Sequence, residues 1–557
     1  MICTDPAARG SARARGAGAV VAMVVLAVAL AARAETPPPM DARAGSAARI
    51  EADVRFLADD LLEGREAGTR GFDLAALYVA SQYRLIGLEP AGEDGTFYQR
   101  VPMVRGVREQ DGARFAITRD GGTVESAFEA DFLPGVNFTT GVAEVTAPMV
   151  FVGQGVWAPE LQHDDFAGVD VRGKIAVVLD NAPARFPIDQ RAFHASSTEK
   201  LRALERLGAV GAIFLDDPVS EQKRPWARQA RNWRRPGMRR IDAEGQPADD
   251  FPSIAVRVSA GVHVAETLLA GSPHTAAEVF AWLESGQLRA FDLAGQATLA
   301  SRARLERVES RNVVGRLPGR DARLSNEHVA FIAHLDHLGI GAAVDGDAIY
   351  NGAQDNAVGV ATVLEAARLL VANPERPKRS MLFVALTAEE KGLLGAFQFA
   401  AEPTVARESL VATVNMDMPL PLGDAYDVLA IGIEHSTLQA VADRAVAEAG
   451  LTITPDPFAD EVLFVRSDQY PFVREGVPAI VLLAGVKPRD GSDGLERFRE
   501  FLTARYHQPS DDLNHPIHWA GAADLAILNF RIGLAIGNDP ERPAWNPGDF
   551  FGRQFGR

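Results

Sequence analysis

The chain has 557 residues, more than one simple core usually holds, so two or three domains are expected. Its composition, 47% hydrophobic and 24% charged, is that of a globular protein and argues against wholesale disorder. The formal net charge of −17 argues against nucleic acid as a partner.

The first 34 residues have the pattern of a secretory signal peptide. Arginines come first, residues 17–32 form an apolar run, and Ala32-Arg33-Ala34 supplies small residues for cleavage. The alternative, a transmembrane anchor, is disfavoured because the run is short for a bilayer and is followed closely by the proline run 37–39. We expect no later segment to be apolar for long enough to span a membrane, and therefore no stable membrane insertion.

This leader predicts an exported bacterial protein, periplasmic or secreted. Cys3 is the only cysteine and lies inside the leader, so the predicted mature chain depends on its core and on any bound metal rather than on disulfides. Removal of residues 1–34 shifts the net charge to about −20.

The first predicted elements after the leader are helical. Ile50, Val54 and Leu57 recur at helical spacing, and a second helical pattern extends to about residue 90. Between residues 125 and 305 the pattern changes to short β-like runs, with one helix predicted over 197–207. The change predicts a separate, β-rich module.

A basic stretch inside this module, residues 223–240, contains Trp226 and Trp233. We interpret it as a solvated or substrate-facing loop rather than a nucleic-acid site.

Strands and helices alternate from about residue 311 onward. The predicted elements are strands over 328–333, 381–386, 410–414 and 479–483, a helix over 355–371 and a further helix from about residue 390. This alternation predicts an α/β fold, a mixed, largely parallel sheet sandwiched by helices. In such sheets ligands bind outside the carboxyl ends of the strands.

Five short motifs in this region place metal-binding side chains at strand ends or helix starts. They supply two imidazoles and three carboxylates, which are ligands that zinc accepts: His334, Asp355, Glu390, Asp417 and His507. Five such ligands suit a pair of divalent metals, so we predict two Zn²⁺ per chain.

The remaining roles follow from position. Asp355 is the predicted bridge between the metals, because it stands at a helix start where the sheet opens. Three negative ligands against four positive charges favour hydroxide over water between the metals. Glu389 is left free as general base and later general acid, and Asp336, two residues beyond His334, is predicted to orient that imidazole.

Each motif alone has a simpler interpretation. His337 in isolation is interpreted as a loop histidine with satisfied hydrogen bonds, and nothing in the sequence requires it as a ligand. Asp511 and Asp512 are typical caps of a turn or helix, and His515 and His518 are interpreted as structural. The ordered combination at strand ends is what favours a metal site.

The motifs resemble the co-catalytic zinc aminopeptidases typified by aminopeptidase Y and the secreted bacterial leucyl aminopeptidases. The segments that carry the resemblance are His334-Leu335-Asp336, Gln354-Asp355-Asn356-Ala357-Val358-Gly359, Glu389-Glu390-Lys391-Gly392, Asn415-Met416-Asp417 and Tyr506-His507-Gln508-Pro509-Ser510-Asp511. One departure is Gln354, which stands where relatives often carry an acidic residue.

The resemblance implies a zinc-peptidase phosphorylase/hydrolase-like core and peptide or protein substrates. It also implies that one metal is held by Asp355, Glu390 and His507 and the other by Asp355, His334 and Asp417.

The resemblance further implies a domain organisation. Residues 1–34 are the signal peptide, 35–124 the N-terminal part of the peptidase domain, 125–305 an inserted protease-associated domain and 306–557 the catalytic domain. The insert rests on the segments 165–174 and 208–212.

The implied function is that of a secreted or periplasmic aminopeptidase, in which a hydroxide between two zinc ions and the base Glu389 hydrolyse N-terminal residues. The alternatives are a related metallo-carboxypeptidase or dipeptidase, a one-zinc glutaminyl cyclase-like enzyme and a non-catalytic receptor-like ectodomain. Retention of both His334 and Asp417 disfavours the cyclase, and the filled ligand positions disfavour the ectodomain.

Overall fold

The computed structural model describes residues 40–248, 250–458 and 463–556. The predicted signal peptide, residues 1–34, lies outside the described residues.

The helices have the following bounds: α1 Met40–Leu57, α2 Arg70–Ile86, α3 Ile188–Ala195, α4 Ser197–Leu207, α5 Pro218–Lys223, α6 Trp226–Arg231, α7 Ala265–Leu269, α8 Ala276–Ser285, α9 Val358–Ala372, α10 Leu394–Ala401, α11 Leu438–Glu448, α12 Gln469–Arg474, α13 Gly494–Ala504, α14 Trp519–Asn538 and α15 Phe550–Phe555.

The strands have the following bounds: β1 Glu89–Pro90, β2 Tyr98–Arg108, β3 Arg114–Arg119, β4 Gly122–Glu125, β5 Phe132–Pro134, β6 Val142–Phe151, β7 Trp157–Ala158, β8 His163–Asp164, β9 Ile175–Leu179, β10 Gly211–Leu215, β11 Gly237–Arg240, β12 Val256–Ala260, β13 Phe291–Leu317, β14 His328–His334, β15 Gly339–Val344, β16 Asp347–Tyr350, β17 Ser380–Leu386, β18 Leu410–Asn415, β19 Asp427–Ile431, β20 Thr452–Thr454 and β21 Ala479–Ala484.

The main sheet has the strand order β11-β2-β13-β17-β14-β18-β21-β19-β20. Its central strands β17, β14, β18 and β21 are parallel, whereas β2, β11, β13 and β19 add antiparallel pairs at the flanks. The predicted mixed α/β sheet is therefore confirmed.

Alternate residues of the central strands point to opposite faces of this sheet. Phe331 and Phe383 stack with ring centroids 5.3 Å apart in a core that α1, α2, α9, α11 and α14 cover. Ile332 and Leu382 face a second core, which α10, α12, α13 and α15 cover. Burial on both faces explains why these strands are almost entirely apolar.

A second sheet has the order β4-β3-β13-β6-β9-β10-β12-β5 and its own apolar cores. It shares β13 with the main sheet: residues 291–302 of this strand pair with β6, and residues 303–313 pair with β2. The boundary set at 124/125 falls inside β4, and the boundary set at 305/306 falls inside β13. The β-rich module is thus joined to the main sheet through a continuous strand, and its assignment as a protease-associated domain stays a prediction.

One helix corrects the expectation about membrane spans. Among the described residues, Trp519–Asn538 is long and apolar enough to cross a bilayer by length and composition. In the structure this helix, α14, packs against α1, α9 and α11. Of its most apolar stretch, 61% is buried inside the protein. Its hydrophobicity is that of a helix covering the sheet.

Two predicted helices begin later than expected, at Val358 rather than 355 and at Leu394 rather than 390. In the turn before α9, Asp355 and Asn356 have φ and ψ values outside the helical range. Leu393, directly before α10, has a left-handed φ of 60°. Contacts from distant segments hold these turns, and the sequence pattern does not show such contacts.

Candidate metal centre

The predicted ligands meet where the central parallel strands end. His334 ends β14 and lies level with Leu386 at the end of β17. The pair Glu389 and Glu390 follows β17, and Asp417 follows β18. Because parallel strands present their carboxyl ends at one edge of the sheet, these side chains converge there.

One group consists of His334, Asp355 and Asp417. The Nε2 atom of His334 lies 3.0 Å from Oδ1 of Asp417 and 3.2 Å from Oδ1 of Asp355. Its Nδ1 lies 3.1 Å from the main-chain oxygen of Asp336. With Nδ1 donating to that carbonyl, Nε2 is directed at the two carboxylates, as in a metal-binding histidine.

The second group uses the other oxygen of Asp355. Its Oδ2 atom lies 3.3 Å from Nε2 of His507, which in turn lies 3.2 Å from Oε2 of Glu390. Asp355 thus presents one oxygen to each group. That is the arrangement required of a carboxylate that bridges two metals.

His337 joins the second group, so its interpretation as a satisfied loop histidine is wrong. Its ring is fully buried, with Nδ1 2.7 Å from Oε1 of Glu390 and 3.9 Å from Oδ2 of Asp355. Two sets of three side chains, His334 with Asp355 and Asp417 and His337 with Asp355 and Glu390, place their ligand atoms within 4.8 Å of one another.

Asp511 fixes the turn that carries Asp355. Its Oδ1 and Oδ2 atoms accept hydrogen bonds from the main-chain N–H groups of Gln354 and Asp355, at 2.9 and 3.0 Å. The sequence indicated a turn cap, but only the fold shows that the turn lies more than 150 residues earlier in the chain.

Asn356 performs a similar task for Asp417, and sequence reasoning missed it. Its side-chain nitrogen donates to the main-chain oxygen of Met416 at 2.8 Å, and its Oδ1 accepts from the N–H of Met418 at 3.2 Å. The residue after the bridging carboxylate therefore clamps the main chain on both sides of a ligand. Its position beside Asp355 in the sequence was the available signal.

Asp336 contacts His334 through its main chain, not through its side chain. The buried carboxylate instead accepts hydrogen bonds from the main-chain N–H groups of Glu389 and Glu390, at 3.1 and 3.4 Å. Burial raises the pKa of this carboxyl to about 7. The main-chain oxygen of Asp336 thus contacts the imidazole, whereas its side chain holds the turn that carries both glutamates.

The two adjacent glutamates have opposite electrostatic environments. Burial raises the pKa of Glu389 well above its ordinary value, and the carboxylates of Asp417 and Glu390 raise it further. Burial acts in the same direction on Glu390, but His507 and His337 outweigh it and hold its pKa well below the ordinary value. Glu390 is thus favoured in its charged form, as a metal ligand must be, whereas Glu389 is suited to exchange a proton.

These side chains line a cleft in which about 510 Å³ of space, part of it open to solvent, is free of protein atoms. Its lining includes the side chains named above: His334, Asp355, Glu389, Asp417 and His507. The other lining residues are Met418, Leu463, Arg466, Ser467, Val481, Leu483 and Tyr506. The ring of Tyr506 stacks on His507 with centroids 3.8 Å apart and thereby fixes the orientation of that imidazole.

The donor set fits divalent metal. Imidazole nitrogens and carboxylate oxygens converge from distant segments, and like-charged Asp355, Glu390 and Asp417 share a largely buried space that needs positive charge. Oε1 of Glu390 and both nitrogens of His337 have no hydrogen-bond partner among the described residues. Unpaired buried polar atoms of this kind are explained by a coordinated ion.

The basic stretch 223–240 buries its two tryptophans, whereas its basic residues Lys223, Arg224, Arg231 and Arg234 are exposed. Trp226 donates from Nε1 to the main-chain oxygen of Glu129 at 2.9 Å, and both tryptophans are 6% exposed. Arg228 donates from Nη2 to the main-chain oxygen of Tyr506 at 2.5 Å, immediately before the ligand His507. The stretch therefore supports the site from outside; among the described residues, those that line the cleft do not include it.

Comparison with known proteins places the catalytic region in a family. Residues 312–531 match Peptidase family M28. Two curated relatives are each described as a probable zinc metalloprotease, from Pyrenophora tritici-repentis (strain Pt-1C-BFP) and Pyrenophora teres f. teres (strain 0-1). Each is 44% identical over 67 residues. These matches cover 12% of this chain and only 15% and 14% of the relatives.

A solved structure, the aminopeptidase from Aneurinibacillus sp. strain AM-1, shares the fold with a TM-score of 0.52 at 19% identity. The superposition covers 89% of this chain and 95% of that one. The match of residues 312–531 to Peptidase family M28 confirms the resemblance drawn from the motifs.

Proposed function

We propose that the protein is a zinc-dependent aminopeptidase that binds two Zn²⁺ and hydrolyses N-terminal residues of peptides. The observation that supports this most directly is the division of Asp355 between two groups of ligands, with Glu389 beside them in an open cleft. One zinc is assigned to His334, Asp355 and Asp417, the other to Asp355, Glu390 and His507.

When bound, such ions polarise a scissile carbonyl and acidify a water molecule. The chain's own contribution is proton transfer by Glu389, which takes a proton from water and returns it to the leaving amine. Its raised pKa suits this exchange, because the buried carboxyl holds a proton more readily than an ordinary glutamate does. The apolar part of the cleft, Met418, Leu463, Val481 and Leu483, receives the N-terminal side chain.

We also propose that the protein is exported to the periplasm or the medium, on the strength of the leader pattern in residues 1–34. Bacterial origin stays a prediction from the composition of that leader.

The test is a panel of aminoacyl anilides with free amines, their N-acetylated counterparts and N-blocked dipeptides. We expect hydrolysis of the free-amine anilides alone, abolished by a chelator and restored by zinc. Preferential cleavage of N-blocked dipeptides would instead indicate a carboxypeptidase, and release of a cyclised product from N-terminal glutamine would indicate a cyclase.

Metal analysis of the purified protein separates these outcomes from an inactive receptor-like domain. Two zinc ions per chain are expected. Full activity after complete removal of metal would overturn the proposal.

A further inference from the structure

His337 is unusual among the buried histidines. It is fully buried, yet neither ring nitrogen has a hydrogen-bond partner among the described residues. His328, also buried, has its Nδ1 2.9 Å from Oγ of Ser409, and His334 has its Nδ1 3.1 Å from the main-chain oxygen of Asp336. A buried polar side chain whose ring nitrogens make no directed hydrogen bond needs an explanation.

The surroundings of Nδ1 supply one. It lies 2.7 Å from Oε1 of Glu390, but the two atoms are not aligned for a hydrogen bond, and Oε1 is unpaired as well. Oδ2 of Asp355 lies 3.9 Å away. Ligand atoms that bind one shared ion lie close together but point at the ion and not at each other, which is the arrangement of these atoms.

The fold holds the ring in place. The buried guanidinium of Arg65 donates to the main-chain oxygens of Leu335, Asn351 and Gly352, at 2.8, 2.6 and 3.1 Å, and so ties together the two segments around His337. Gly352 has a φ of +62°, and a Cβ there would lie 2.5 Å from Cγ of His337. The ring therefore packs directly on the main chain before Asp355.

We propose that His337 is a further protein ligand of the zinc ion assigned to Asp355, Glu390 and His507. The inference rests on the proposed two-zinc function. It makes the two sites unequal: one has four protein ligands, and the other, with His334, Asp355 and Asp417, has three. Four-ligand zinc sites are closed, whereas three-ligand sites keep a position for water or substrate.

Zinc binding to the metal-free protein, followed by calorimetry and by metal content after dialysis, tests this directly. The wild type should bind two ions, one more tightly. His337→Phe, which keeps the volume but removes the nitrogens, should weaken one site by roughly 100-fold or more. His337→Asn, which puts an amide near the position of Nδ1, should weaken it less than His337→Gln.

The matched control is His515→Phe, because His515 is partly exposed, pairs with Asp512 and is not an assigned ligand. This variant should bind both ions as the wild type does. Unchanged affinities in His337→Phe, or an equal loss at both sites, would overturn the assignment. A wild type that never binds two ions would instead refute the proposed function.

X-ray absorption on the zinc-loaded wild type keeps the test independent of whether the variants fold. Three imidazoles should be shared by the two ions. A count of two would overturn the role of His337 while leaving the two-zinc site intact.

Discussion

The carboxylate of Asp336 accepts a hydrogen bond from the main-chain N–H of Glu389 at 3.1 Å. Asp336 belongs to the loop that follows the proposed ligand His334, and Glu389 is the proposed base. One buried acceptor thus couples the position of the base to the metal-binding loop.

Replacement of this acceptor tests the coupling. Asp336→Asn removes one of two carboxylate oxygens that hold the turn of Glu389 and Glu390. We expect zinc affinity to fall by roughly 10–100-fold, with a further loss of turnover at saturating zinc, because both glutamates are displaced. The control is Asp347→Asn, an exposed aspartate that caps its own turn by accepting from the N–H of Ile349. Equal affinities and turnover in the two variants would contradict the role given to Asp336.

The Glu389→Gln variant tests the base. The amide keeps the volume but cannot take a proton, so kcat should fall by about 100-fold or more. Metal content should remain that of the wild type, because Glu389 is not an assigned ligand. Glu448→Gln, on the exposed face of α11, serves as the control for expression and assay. Near-normal turnover in Glu389→Gln would refute the assignment.

Because both proposed metal sites share Asp355, we expect variants of Asp355 and of Asp417 to differ in zinc content. Asp355→Ala should lose both zinc ions, because each group depends on one of its oxygens. Asp417→Ala should lose only the ion assigned to His334, Asp355 and Asp417. Metal analysis after dialysis distinguishes the two, and retention of one tightly bound ion in Asp355→Ala would argue against a bridge.

A second buried histidine predicts a pH dependence of stability away from the metal centre. Burial lowers the pKa of His435, but Asp189 and Asp549 outweigh it and raise the value to about 10. Nδ1 lies 2.7 Å from Oδ2 of Asp549 in the C-terminal segment. Because the folded pKa lies above the unfolded value, this stabilisation is complete below about pH 6.5 and is lost as the pH rises through about 10.

Asp549→Asn should therefore lower the free energy of unfolding by about 1–3 kcal/mol at neutral pH, and the difference should shrink above pH 10. Urea unfolding of wild type and variant at several pH values, with chelator throughout, measures it. Asp443→Asn, a change at an exposed position of α11, is the control. A difference that grows with pH would contradict the assigned direction.

Much of the candidate site could be predicted from sequence because each ligand stands at the end of an apolar strand or beside a turn signal. His334 and Asp417 follow uninterrupted buried runs, and parallel strands bring their ends together wherever they lie in the chain. The outline of the α/β sheet followed from the same apolar runs.

Other features depend on partners far along the chain, which local patterns do not specify. The boundary predicted at 305/306 lies within β13, which continues from one sheet into the other. The late starts of α9 and α10 likewise depend on carboxylates from distant segments. Asp511 accepts a hydrogen bond from the turn before α9, and Asp336 accepts one from the turn before α10.

The sequence by itself determined which residue types stand at the strand ends, and hence the predicted ligands and the predicted base. Only the tertiary structure decided that Asp355 faces two groups and that His337 lies against Glu390, 53 residues away. The physical reason is that periodicity and spacing report how a residue relates to its own strand or helix. Coordination, by contrast, depends on distances between atoms of different elements, and those distances are set when the sheet and its helices pack.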